Sequence, residues 1–146
     1  MPLPPLDEAE HLAQATHNEA VLDAIVKDVV PGYVRAFDWA LVVMFYAAMH
    51  YASACLLRDT GECPDQHTSH YDRATNTRVL GLTDCVSRTY GPAVAPSYNV
   101  LFNRAWDARY RSLYMTQTHV PDALDLLTEH RKHLEIVKAA QPAPAA

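Results

Sequence analysis

Glycine is scarce, at 4 of 146 residues, and its scarcity removes the functions that depend on it. There is no GxGxxG, no GxxxxGK[ST] and no GxSxG, so neither a glycine-rich phosphate loop nor a nucleophile elbow is present. A collagen-like repeat is excluded on the same count. Cysteine is limited to Cys55, Cys63 and Cys85, at spacings that match neither a CxxC knuckle nor an even disulfide framework. Cysteine usage of this kind fits a reducing cytoplasm. Positive charge is in deficit: 12 Lys and Arg against 17 Asp and Glu give a net charge of −5, which argues against a wholly basic nucleic-acid binder. The N-terminus, Met1-Pro-Leu-Pro-Pro-Leu, lacks the basic and apolar regions of a secretory signal, so export is not expected.

What is present is apolar residue in a helical period. Hydrophobic residues make up 49% of the chain, enough to exclude disorder of the whole and to predict one domain stable without disulfide or metal. The period is 3.6 almost throughout, with no convincing run of period two. The expected fold is all-α: an up-and-down bundle of four or five helices over residues 7–140, between Pro-rich tails at 1–6 and 141–146.

The first helix is predicted from Asp7 to Val30, with Leu12, Ala15, Leu22, Val26 and Val29 as its stripe and Pro31-Gly32 as its stop. A second, capped by Asp38, runs to Arg58 and stops at Asp59-Thr60-Gly61. It contains nineteen uncharged residues, Trp39 to Leu57. Five alanines, Ser53, His50, Tyr46 and Tyr51 dilute that stretch, which reads as a buried central helix rather than a membrane span. Ser69-His-Tyr-Asp72 reads as a capping box opening a third helix to Leu80, and Thr83 as the cap of a further turn or two to Tyr90. After the breaker Gly91–Pro96, a helix from Pro96 or Ser97 to Tyr114 turns Tyr98, Leu101, Ala105 and Ala108 inward. Pro121 opens the last helix, whose stripe is Leu124, Leu127, Leu134 and Val137.

Charge is unevenly placed along the chain. Residues 1–34 carry six acids against Lys27, whereas residues 70–111 carry six arginines against three aspartates. His50, His67 and His70 lie in or just before this basic stretch, so packed helices would form a His and Arg cleft suited to a phosphate-bearing ligand. Most of these arginines are expected in surface ion pairs. Arg109 is singled out, because Tyr110 is expected to pack on the bundle and to leave Arg109 and Arg111 about 100° to either side of it.

His50 has two open readings, a satisfied core histidine or an acid-base group with an ordinary pKa near 6.5. His67 and His70, spaced HxxH, would need a third ligand such as His50 or Asp38 to hold a metal. No HExxH accompanies them, and no metal or other cofactor is expected. His70 and Arg73, one turn apart, suit anion binding at a helix N-terminus better. Cys63 and Cys85 have no evident activating base.

The run Asp38-Trp-Ala-Leu-Val-Val-Met-Phe-Tyr-Ala-Ala-Met-His50 resembles the "YYAxFH" helix of the HEPN domains, small all-helical nucleotide-binding or RNase modules. His67-Thr-Ser-His-Tyr-Asp-Arg73 resembles their polar loop and helix start, and Tyr98-x-x-Leu101 with Ala108-Arg109-Tyr110 resembles their late helix. The resemblance covers about residues 36–137. It implies a homodimeric bundle acting on RNA or nucleotides in the cytoplasm, in settings such as toxin–antitoxin pairs or phage defence, with an antitoxin as a protein partner and no membrane. In active members an Arg-x(4–6)-His pair cleaves RNA without metal. None of the nine arginines here has that relation to a histidine. Carried over residue by residue, the resemblance gives His50 as the matched histidine, Arg109 and Tyr110 as the late-helix pair, and nothing for the catalytic arginine. Together with the His and Arg cleft, this makes His50 and Arg109 the catalytic candidates and Tyr46, His67, His70, Arg73 and Tyr110 the ligand-binding candidates. Two alternatives stand beside it: a non-catalytic dimeric scaffold, and a metal-dependent hydrolase using His50, His67 and His70. In the dimer expected here, Tyr110, Arg111 and Tyr114 form the contact.

Overall fold

A computed structural model describes residues 4–27, 29–30, 33–34, 36–110 and 120–140. The fold is an all-α bundle, as the 3.6 period predicts. Its helices are α1 (Glu8–Lys27), α2 (Phe37–Thr60), α3 (Leu82–Tyr90), α4 (Ala95–Tyr110) and α5 (Val120–Lys138), with a 3-10 turn at Gly91–Ala93.

At the centre lies α2, which packs against α1, α4, α5 and α3. Its composition explains the position: Ala40, Leu41, Met44, Ala47, Ala48, Ala52, Ala54 and Leu56 are all buried, and the alanines let neighbouring helices approach closely. This helix is long and apolar enough to cross a membrane, yet 72% of its most apolar window is buried inside the molecule, as befits a core helix. The inward stripes of α4 (Tyr98, Leu101, Ala105, Ala108) and α5 (Leu127, Leu134, Val137) close the core as expected, with Ala15 and Leu22 from α1. Gly61, at φ 76°, ends α2 in the left-handed conformation, and its N–H bonds the Leu57 carbonyl.

Several expected boundaries are corrected. The α1 helix stops at Lys27, and Val29–Val30 form a short strand (β1) paired antiparallel with Tyr33–Val34 (β2), where the β-branched valines suit extended backbone. Pro31-Gly32, the expected stop, lies outside the described residues, as does the expected helix end at Tyr114. Asp38 does not cap α2. That place is taken by Ala36, left-handed at φ 52° with no side-chain cap, and Asp38 sits in the first turn, where its charge still suits the macrodipole. The α4 helix begins at Ala95, one residue before Pro96.

The largest difference is at 69–80, where the expected helix is a hairpin of β3 (His70–Asp72) and β4 (Thr77–Val79), with Tyr71 opposite Arg78. The Asp72 carboxylate accepts bonds from the Ala74 N–H and the Thr75 hydroxyl, folding the turn instead of capping a helix, and Asn76 takes the left-handed conformation at φ 55°. Ser69 is likewise diverted: its Oγ accepts the Gly81 N–H and donates to Asp84. Gly81, not Thr83, stands at the N-cap of α3. A Cβ on Gly81 would lie 2.2 Å from the Thr68 carbonyl carbon, so glycine permits this close crossing of hairpin and helix.

Candidate nucleic-acid interface

On α4, Phe102, Ala105, Trp106 and Arg109 follow at i, i+3, i+4 and i+7, which puts them on one face. That face meets Phe45 of α2 and the loop residues Gln66, His67 and Thr68 across a groove of about 300 Å³. The loop is held there by α3, whose first-turn N–H groups have no partner within their own helix: Leu82 N–H bonds the Gln66 carbonyl at 2.8 Å and Thr83 N–H bonds that of His67 at 3.0 Å.

The groove is walled by aromatic rings. Phe45 lies 5.4 Å from Phe102 between centroids and 5.6 Å from His67, with Phe102 edge-on to it. Phe102 leads to Trp106 at 6.5 Å and Trp106 to Tyr110 at 4.5 Å. These rings belong to a series, Tyr98, Phe102, Trp106 and Tyr110, spaced four apart. A four-residue step advances about 400° around a helix, so each ring is turned about 40° from the last. The series therefore spirals out of the core: Tyr98 is fully buried, Phe102 half-buried, Trp106 53% and Tyr110 59% exposed. Tyr110 does not pack on the bundle as expected, because the spiral has carried it to the surface.

Arg109 lies at the mouth of the groove. Its Nη1 donates to the Tyr46 hydroxyl at 3.2 Å, and its guanidinium carbon sits 5.3 Å from the Tyr110 ring centroid. Among the described residues no carboxylate pairs with it. Burial, and secondarily the Arg109 charge, hold the His67 imidazole below its ordinary pKa, so His67 is neutral at pH 7. The His67 Nδ1 is buried without a partner among the described residues.

The structure thus gathers four of the expected residues, Tyr46, His67, Arg109 and Tyr110, at one place and leaves three elsewhere. His50 faces α1, where its Nδ1 lies 2.8 Å from the Nδ1 of His11. Burial, with His11 adding to it, lowers the His50 pKa to about 4. His70 is exposed on β3 and Arg73 in the hairpin turn, so the anion site expected at a helix N-terminus has no helix to form it. His67 and His70 share no helical face, and no group of three or more His, Cys, Asp or Glu among the described residues is placed to hold a metal ion.

Sequence reasoning missed Phe45, Phe102, Trp106 and His11. The four-residue recurrence of aromatics from 98 to 110 carried the signal for Phe102 and Trp106. Nothing in the local sequence pairs His11 with His50, 39 residues away. No protein-family model, no curated protein and no solved structure matches the chain.

Proposed function

We propose that the protein is a HEPN-like module that binds RNA or nucleotides through the groove of Tyr46, His67, Phe102, Trp106 and Arg109, in the cytoplasm and as a homodimer. The observation that carries this reading is Arg109: an arginine without a carboxylate partner among the described residues, oriented by Tyr46, beside exposed aromatic rings. A ring to stack on and a cation for the phosphate are the two contacts a nucleotide needs, and stacking of one base on an aromatic side chain contributes about 1–3 kcal/mol. His67, neutral, offers a hydrogen bond to a base edge or sugar hydroxyl.

Binding is better supported than cleavage. His50, the histidine the resemblance puts forward for proton transfer, is bonded to His11 instead of lining the groove. The same observation favours, as a second reading, a dimeric interaction module without chemistry, in which Trp106 and Tyr110 meet the other copy or a protein partner such as an antitoxin.

Anisotropy of a fluorescein-labelled oligouridylate, with unlabelled mononucleotides as competitors, tests the first reading. Arg109→Ala and Trp106→Ala are each expected to weaken binding at least tenfold, and His50→Ala to leave it unchanged. Equal binding by wild type and both groove variants, or none by wild type, leaves the interaction module.

A further inference from the structure

A second cleft lies beside this groove, among the end of α2, the loop after it, the hairpin and α3. Its volume is about 780 Å³, within the size range of small-molecule sites. Leu56 and Leu57 of α2 line it with Val79 and Leu80 of the hairpin, and Leu6, just before α1, borders it on another side. Cys63 and Cys85 also line it, and burial pushes both thiols above their ordinary pKa. At neutral pH they are uncharged and present apolar wall.

One cation at this cleft is left without a carboxylate. Asp84, on the same helix as Arg88, is already engaged by Ser69 and by Arg78 at 3.1 Å. Arg88, exposed at the rim, forms no ion pair with any described residue. Glu62 and Asp65 lie on the loop side of the cleft and His70 on the hairpin side. An anion is thus repelled from the loop and drawn to α3, while an apolar body lies on the leucines.

We infer that this cleft binds a small amphipathic anion, an alkyl or aryl chain carrying one carboxylate or sulfonate, with the chain on Leu56, Leu57 and Leu80 and the acid group on Arg88. The site is independent of the nucleotide reading: Gln66 borders both, but neither Arg88 nor any of the leucines that carry the inference lines the groove of Arg109.

Anilinonaphthalene sulfonate serves as the fluorescent probe, displaced in turn by decanoate and by decanol. The titration uses the Trp106→Ala protein, so that the exposed aromatic face does not contribute signal. Decanoate is expected to displace the probe at a concentration at least tenfold lower than decanol, and Arg88→Gln to abolish that difference. Val79→Trp, at a position 38% exposed and so outside the core, is expected to weaken probe and decanoate alike. Absence of probe binding, equal potency of decanoate and decanol, or binding indifferent to Val79→Trp overturns the inference.

Discussion

His11 on α1 and His50 on α2 meet through their Nδ1 atoms at 2.8 Å, their rings tilted by 43°. Only one of the two nitrogens carries the hydrogen, so the rings adopt opposite tautomers and the bond depends on at least one ring remaining neutral. Burial lowers the pKa of both. The folded His50 pKa, about 4, lies below the ordinary 6.5, so the unfolded chain takes up the proton first as pH falls. Stability is then complete above about pH 6.5 and declines towards pH 4.

Because His50 is half-buried, solvent screening reduces this contribution to about 1–2 kcal/mol. His67 and His130, also lowered by burial, add in the same direction. The diagnostic quantity is therefore a difference: urea unfolding at pH 7.5 and pH 4.5 is expected to show a smaller pH effect in His50→Ala than in wild type. At pH 7.5 the substitution itself is expected to cost about 1–3 kcal/mol, from the cavity and the lost hydrogen bond. Wild-type stability at pH 7.5 would argue that the pair holds nothing together.

Gly81→Ala is expected to destabilise by about 1–3 kcal/mol or more, since the new Cβ meets Thr68 and Ser69 backbone at 2.2–2.6 Å and no flexible side chain can yield. Thermal unfolding measures the loss. The backbone φ here is −86°, ordinary for alanine, so any destabilisation reports the crossing and not the dihedral.

Tyr98 has a fully buried hydroxyl with no partner among the described residues. Tyr98→Phe retains the ring that packs edge-on against Phe45 and removes an unsatisfied polar atom. It is expected to leave stability unchanged or raise it by about 1–2 kcal/mol. A loss above 1 kcal/mol on chemical denaturation would reveal a partner for that oxygen.

For the proposed dimer, light scattering at micromolar concentration is expected to give twice the 16.3 kDa chain mass. On the interaction-module reading, replacing both Trp106 and Tyr110, the exposed pair of rings on α4, with Ser is expected to shift it toward monomer. A wild-type monomer at 50 μM would remove dimerisation from the reading.

The helices were legible because their apolar stripes repeat often enough to outweigh local accidents. Leu127, Leu134 and Val137 on α5, and Leu101, Ala105 and Ala108 on α4, occupy the core positions their spacing requires. The hairpin was illegible because Ser69 and Asp72 bear side chains that serve a helix start and a tight turn equally well. The β-branched Thr77 and Val79, with Asn76 ready for a left-handed turn, carried the opposing signal in too short a run to register. At the site, Arg109 was singled out on a premise the structure corrects, since Tyr110 is exposed; it reaches the groove because it shares a helix face with Phe102, Ala105 and Trp106, and its partner Tyr46 comes from 63 residues away. His50 was misplaced because its partner comes from another helix.

The last helix covers a face of α2 together with α4, and its Lys138 bonds Glu19 of α1 while lying over Tyr51 of α2. Roughly sixty residues separate the end of α2 from the start of α5. At a synthesis rate of about 5–20 residues per second, synthesis of the helix that shields α2 begins only about 3–12 seconds after α2 is complete. The most apolar segment of the nascent chain thus waits half-dressed, and slowing translation across residues 61–119 is expected to lengthen its dependence on chaperones.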